Sequence, residues 1–204
     1  ECEEMDNYWF RYSGHENDEI RFITDSAESF GGQPVPAGQY RLFGGGNAAQ
    51  ECRINTKTEL LKERGESWTL EFSAKMLSLC MPRVKAHAMY RGFRVEVFTS
   101  TKRIAIGFNK DLIGCLTSAE EYIPLPSGTL GYDEDFHDWK IVYNSSDFSV
   151  TIFRDNIEVA RFNWVLGQDA DSKFALAIAV SPVQITSDSE NTDVYLENIK
   201  LKWD

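Results

Sequence analysis

Long apolar runs, histidine and paired-cysteine motifs are all scarce in this chain. No hydrophobic stretch approaches the roughly 20 residues a helix needs to cross a bilayer, so no membrane span is expected. The three histidines, His15, His87 and His137, stand in no HxxxH or comparable spacing, and the four cysteines form no CxxC pair. That spacing argues against zinc. Basic residues are outnumbered, 21 against 32 acidic, for a net charge of −11. Such a field repels phosphate backbones and anionic lipid, which removes nucleic acid from the expected partners. It suits neutral glycans, cationic ligands or a bound divalent cation. The Gly44-Gly45-Gly46 run is followed by no Lys-Ser/Thr and is not a phosphate loop. No Ser/His/Asp or Cys/His arrangement stands out. The opening Glu1-Cys2-Glu3-Glu4 has no signal-peptide pattern, so an exported chain would have lost its leader.

What is present is alternation. The 204 residues are 42% hydrophobic and 26% charged, the profile of a globular chain with a sizeable core. In Phe136–Phe162, Trp139, Ile141 and Tyr143 share one face of a period-two segment. Phe148, Val150 and Ile152 share a face of the next, and Ile157 and Val159 of a third. Period two is the mark of half-buried β-strands. Asp155 and Asn156 both tolerate positive φ, as a tight hairpin turn requires. Trp68, Leu70, Phe72, Ala74 and Met76 alternate in the same way. So do Phe93, Val95 and Val97, then Ile104, Ile106 and Phe108. In Phe174–Val180 the opposite face is Ala175, Ala177 and Ala179, small side chains that let something approach the sheet. Residues Asp111–Asp135 read as irregular, and Thr58–Arg64, with Thr58 as N-cap and Gly65 as C-cap, as one or two helical turns. About a dozen short strands with almost no helix predict an all-β, two-sheet antiparallel sandwich. Without a repeat or a composition break, residues 1–204 read as a single domain.

The order Trp68–Leu79 up, Tyr90–Thr99 down, Arg103–Phe108 up brings Cys80 and Cys115 to the same end of one sheet. Cys80–Cys115 is therefore the expected bridge in an oxidising compartment, with Cys2–Cys52 left as the second. Four unpaired thiols are the alternative.

The segments SWTLEFSAKM, GFRVEV, RIAIGF, FHDWKIVYNSSDFSVTIFRDNIEVARF and DVYLENIKLKWD together resemble the concanavalin A-like lectin/glucanase superfamily, and within it the laminin-G-like branch. The likeness spans roughly residues 40–204 and rests on core-and-turn patterns. Asn156 stands where that branch has a turn glycine, and Glu197 where it has an Asp. The resemblance implies a jelly roll of one convex and one concave sheet. It also implies a glycan-binding, protein-binding or polysaccharide-cleaving activity, and a structural calcium at the rim. Loop acids for calcium are plentiful: Asp18, Asp25, Asp133, Asp135, Asp169, Asp171, Asp188 and Asp193.

Cleavage on this scaffold needs two carboxylates flanking the scissile bond. The E-x-D-x-x-E run by which the family's glucanases supply them is missing. A lyase instead needs a base and a neutraliser for the substrate carboxylate, usually His or Tyr with Arg. His87, Tyr90, Arg91 and Arg94 gather such groups within eight residues leading into a strand. A polar strand edge with snorkelling arginines is the structural alternative. Of the aromatics in loops or at strand ends, Trp164 and Tyr132 are the candidates to stack on a sugar ring. Asn144-Ser145-Ser146 fits a glycosylation sequon and is read here as a turn. The expected protein is thus a non-catalytic, extracellular or cell-surface recognition domain for a glycan or polysaccharide. A polysaccharide hydrolase or lyase on the same fold, or a protein-binding adhesion domain of a larger surface protein, are the alternatives.

Overall fold

Burial with period two is plain in His137–Asn144, where Trp139, Ile141 and Tyr143 are buried between less buried neighbours. The structure, a computed structural model, describes the backbone of eighteen strands and, with side chains, residues 67–76, 93–96, 106–108, 113, 135–163, 178 and 194–202. Every strand pair it describes is antiparallel.

The early strands are β1 (Cys2–Glu4), β2 (Trp9–Ser13), β3 (Glu19–Ile23), β4 (Ser29–Phe30), β5 (Gln33–Pro34), β6 (Gln39–Gly44), β7 (Cys52–Thr56) and β8 (Lys62–Glu63). They are followed by β9 (Trp68–Ser78), β10 (Gly92–Phe98), β11 (Arg103–Phe108), β12 (Ile113–Leu116) and β13 (Tyr122–Pro124). The chain closes with β14 (His137–Asn144), β15 (Ser149–Arg154), β16 (Ile157–Asn163), β17 (Lys173–Ser181) and β18 (Thr192–Trp203). One sheet has nine strands in the order β1-β2-β7-β17-β10-β11-β12-β13, with β8 also on β17. The other has seven, β16-β15-β14-β9-β18-β6-β3, and β4 and β5 pair separately. The path crosses repeatedly between sheets, as a jelly roll does: β9 belongs to the seven-stranded sheet, β10 to β13 to the nine-stranded one, and β14 returns.

The two inner faces meet in one apolar cluster. Leu70, Phe72, Trp139, Ile141, Val150, Ile152, Val194 and Leu196 come from the seven-stranded sheet. Phe93, Val95, Ile106, Phe108 and Ile178 come from the nine-stranded sheet. Aromatic rings stitch the layers together. Phe72 meets Phe93 edge-on at 6.0 Å, Phe93 lies 5.1 Å from Phe108, and Phe108 meets Trp139 edge-on at 5.1 Å. Trp68 and Tyr143, partners across β9 and β14, stack at 5.8 Å. Edge-on and offset rings add about 0.5–1.5 kcal/mol per pair beyond their area burial.

The Asp155–Asn156 turn is as expected: φ is 51° and 65°, and Arg154 pairs directly with Ile157. Both left-handed residues fit the twist of a two-residue hairpin.

Six expectations are corrected. Phe148 is not core. The strand starts at Ser149, and Phe148 closes the loop from β14 with φ at 57° and 46% exposure. Ile157 is 68% exposed, because it pairs with Arg154 beyond the end of the apolar cluster. The end of the expected helix, Lys62–Glu63, is instead a strand on Phe174 and Lys173, so pairing overrides local propensity there. The stretch read as irregular holds β12 and β13. Finally, the premise for Cys80–Cys115 fails: the strand leading to Cys80 lies in the seven-stranded sheet, while Cys115 stands in the nine-stranded one. Cys80 itself lies outside the described residues. The register also puts β2 between the strands of Cys2 and Cys52. Two strand spacings, about 10 Å, exceed the Cα separation of a disulfide.

Phe93 touches rings from both layers, so Phe93→Ala should cost about 3–5 kcal/mol. Guanidinium unfolding followed by tryptophan fluorescence checks it.

Candidate functional site

Arg94 and Glu96 stand out from the rest of β10. Strand alternation points Phe93 and Val95 into the core and turns Arg94 and Glu96 to the other face of the nine-stranded sheet. Both side chains are nonetheless fully buried, and Arg94 Nε donates to Glu96 Oε1 in a direct ion pair. The neighbouring strands offer small residues at these positions. Arg94 pairs with Ala179 and Gly107, and Glu96 with Ala177 and Ala105. Further out, the line through Arg94 continues to Arg53 and Gly114, and the line through Glu96 to Asn55, Leu116 and Tyr122. A desolvated pair of this kind costs several kcal/mol per ion, and a well-packed apolar pair is often the more stable choice. Its presence is therefore not explained by stability alone.

Among the described strands, paired-carboxylate hydrolysis finds no second acid within reach of Glu96 on its own register line. Its register line across the sheet holds one other acid, Glu4 on β1, four strands away. Four spacings make about 19 Å, far beyond the 5–9.5 Å that separates the acids of glycosidases.

A second polar feature lies on the outer face of the seven-stranded sheet. Near Trp203 the chain runs in step with β9, but between Glu197 and Lys200 β18 takes an extra residue. Asn198 sits in that bulge with φ at 56°. A bulge bends the strand and re-aims its side chains. Beside it opens a depression of about 370 Å³ lined by β9, β14 and β18 and by Asn156 of the hairpin turn. Ser73 Oγ donates to Asp138 Oδ1 at 2.6 Å, and Asn198 Nδ2 reaches Ser73 Oγ at 3.5 Å.

The turn carrying Asn156 is clipped to β14. Asp155 N donates to the Asp138 carbonyl at 2.8 Å, and Asp138 N returns a bond to Asp155 Oδ1 at 3.0 Å. His137 Nδ1 meets Asp155 Oδ2 at 2.7 Å, while the Arg154 guanidinium contacts Nε2 of the same ring. A guanidinium only donates, so Nε2 accepts and Nδ1 carries the proton given to Asp155. Partial burial pushes the Asp155 carboxyl up. The hydrogen bonds from His137 and Asp138 and the nearby charge of Arg154 outweigh it and hold the group below its usual 3.8.

Of the residues picked from the sequence as a ligand site, Arg94 alone lies among the described ones, on β10 and paired with Glu96. His87, Tyr90, Arg91, Tyr132 and Trp164 lie outside them. Glu96 was legible as Arg94's neighbour two places along, on the same polar face of GFRVEVF. The bulge also left a signal: the apolar positions Val194 and Leu196 step by three to Ile199 and Leu201. Among the described residues no three His, Cys, Asp or Glu side chains converge as a metal would require. Most of the loop acids considered for calcium lie outside those residues. No described helix is long and apolar enough to cross a membrane.

No protein-family model matches the sequence, and no curated protein matches it. Solved structures do. The metal-free form of lectin I-B4 from Griffonia simplicifolia is 9% identical with a TM-score of 0.60, over 98% of this chain and 95% of the lectin. A sialidase is 8% identical with a TM-score of 0.58, over 95% of this chain. The binding domain of botulinum neurotoxin serotype C1 is 12% identical with a TM-score of 0.57, over 95% of this chain. The chain spans only 17% of the sialidase and 43% of the toxin domain. At these identities the likeness is one of fold. This chain has the fold of these structures, a jelly roll of two antiparallel sheets.

Because its folded-state pKa is depressed, Asp155 stabilises the protein above the unfolded value of 3.8 and loses that contribution as pH falls through the lower folded value. Asp155→Asn should therefore be less stable than the parent at pH 7, with the gap closing below about pH 4. Thermal unfolding of both proteins across that range measures it.

Proposed function

We propose that this chain is a single extracellular recognition domain that binds carbohydrate on the outer face of its nine-stranded sheet, around Arg94 and Glu96. The observation that carries the reading is the buried ion pair set among Ala105, Gly107, Ala177 and Ala179. A guanidinium and a carboxylate side by side offer fixed donors and acceptors to vicinal sugar hydroxyls, and small flanking residues leave room for a ring. Because both groups are inaccessible, a ligand reaches them only by displacing what covers them. The named neighbours agree in kind: one is a lectin, and a botulinum type C toxin enters cells through interaction with two ganglioside molecules. Binding of neutral sugars suits the chain's −11 net charge. A structural calcium held by the loop acids, and a place in a larger surface protein, belong to the same proposal.

One observation favours a second reading, a polysaccharide lyase. Released from Glu96 and uncovered, Arg94 would neutralise a substrate carboxylate, with Tyr90 and His87 as the bases nearby in sequence. Release of unsaturated sugar, read at the absorbance of its new double bond, would favour it over simple binding.

Replacing the pair together separates function from stability. Arg94→Met with Glu96→Leu should leave the protein as stable as the parent or more so, by about 1–4 kcal/mol. The same double variant should lose glycan binding on an array and by calorimetry. Arg94→Ala alone should cost about 3–5 kcal/mol by leaving Glu96 buried without Arg94. Unchanged glycan binding in the double variant, or no binding of any glycan by the parent protein, defeats the proposal.

A further inference from the structure

The depression on the opposite sheet is a separate candidate. Its floor is formed where Phe72 and Trp139 close the core at 2% and 3% exposure, so no exposed apolar side chain enters it. Its wall follows the register. Lys140, Glu71 and Lys200 stand side by side on β14, β9 and β18. On the next line Asp138 faces Ser73, with Asn198 bulging beside them.

Asp138, Ser73 and Asn198 are joined by hydrogen bonds, whereas Glu71 and the two lysines are spaced for pairing and do not pair among the described residues. Among the described residues no ion pair joins Glu71 to either lysine. Lys140 instead lies over the Phe153 ring at 4.6 Å. Asn156 is held at the rim by the clip between Asp155 and β14, with its amide in no hydrogen bond among the described residues. The lining thus contains acceptors only (Glu71, Asp138), donors only (Lys140, Lys200) and two amides that do both (Asn156, Asn198). Two carboxylates and two ammonium groups cancel, so this patch is neutral on a chain of net charge −11.

We infer that this depression is a second binding site, and that its ligand is a neutral sugar. A ring hydroxyl both donates and accepts, so vicinal hydroxyls use the carboxylates and ammonium groups at once. A simple anion would face Glu71 and Asp138, and a simple cation would face the two lysines, so neither is favoured. At about 370 Å³ the space is at the low end for small-molecule sites, which suits one or two rings. The site stands independently of the Arg94 face, on the other sheet.

The test is an NMR titration of the ¹⁵N-labelled full chain. The probes are glucose, galactose, mannose and N-acetylglucosamine, with lactose and cellobiose as disaccharides. Glucuronate, glucosamine and inorganic phosphate serve as charged controls. At least one neutral sugar should shift the amides of Glu71, Asn156, Asn198 and Lys200. Glu71→Ala with Lys200→Ala should weaken that binding at least about tenfold. Both positions are exposed, so the variant should keep the parent's amide spectrum elsewhere. Tighter binding of a charged control than of every neutral sugar overturns the inference. So does equal affinity in the double variant. Shifts confined to β10 and its neighbouring strands also overturn it, while leaving the Arg94 proposal intact.

Discussion

Four rings decide how the two sheets sit against each other. Phe72 and Trp139 reach from the seven-stranded layer, Phe93 and Phe108 from the nine-stranded one, and each touches the next. Close packing fixes their relative positions, because an interior at crystal-like density has no slack for a sliding layer. Everything polar on either sheet takes its place from this contact. The core parity of Phe93 sends Arg94 outward, and that of Phe72 sends Glu71 and Ser73 outward.

The two faces handle charge in opposite ways. On one, Arg94 and Glu96 are withdrawn from water and paired through Nε and Oε1, which gives strong local electrostatics at the cost of desolvation. On the other, Glu71 and Lys200 stay hydrated, where an ion pair would be worth little. The bulge in β18 and the clipped hairpin turn shape that second face through backbone geometry. A withdrawn pair is rigid and selective, while hydrated groups around a dent can be reoriented cheaply.

Much of the architecture was legible wherever alternation ran unbroken. Trp68 through Met76, Phe93 with Val95, and Trp139 through Tyr143 all bury the face their spacing indicates, and Asp155–Asn156 makes the turn its chemistry suggests. Legibility failed where a side chain's place depends on the partner strand. Phe148 looks like the start of an alternating run but closes a loop, and Ile157 keeps the right parity past the end of the core. Sheet membership was harder still: alternation is the same in either layer, so it could not separate β9 from β10, and the strand order behind the expected Cys80–Cys115 bridge rested on placing both in one sheet. At the candidate site Arg94 was visible as a charge in a strand. Its burial was not, because exposure on a polar face depends on what the rest of the chain lays over it.

Among the described strands, β16 ends its sheet with a single neighbour, β15, and so forms an edge there. An open edge is a template on which another chain's strand can form, and Ile157 at its start is an apolar invitation. The defences are local. Glu158 and Arg161 place an exposed pair of opposite charges along the edge at 3.6 Å, and the register shift at Ile152/Phe153 twists the ribbon away from flatness. Loss of these charges would make this margin of the molecule its first route to self-association.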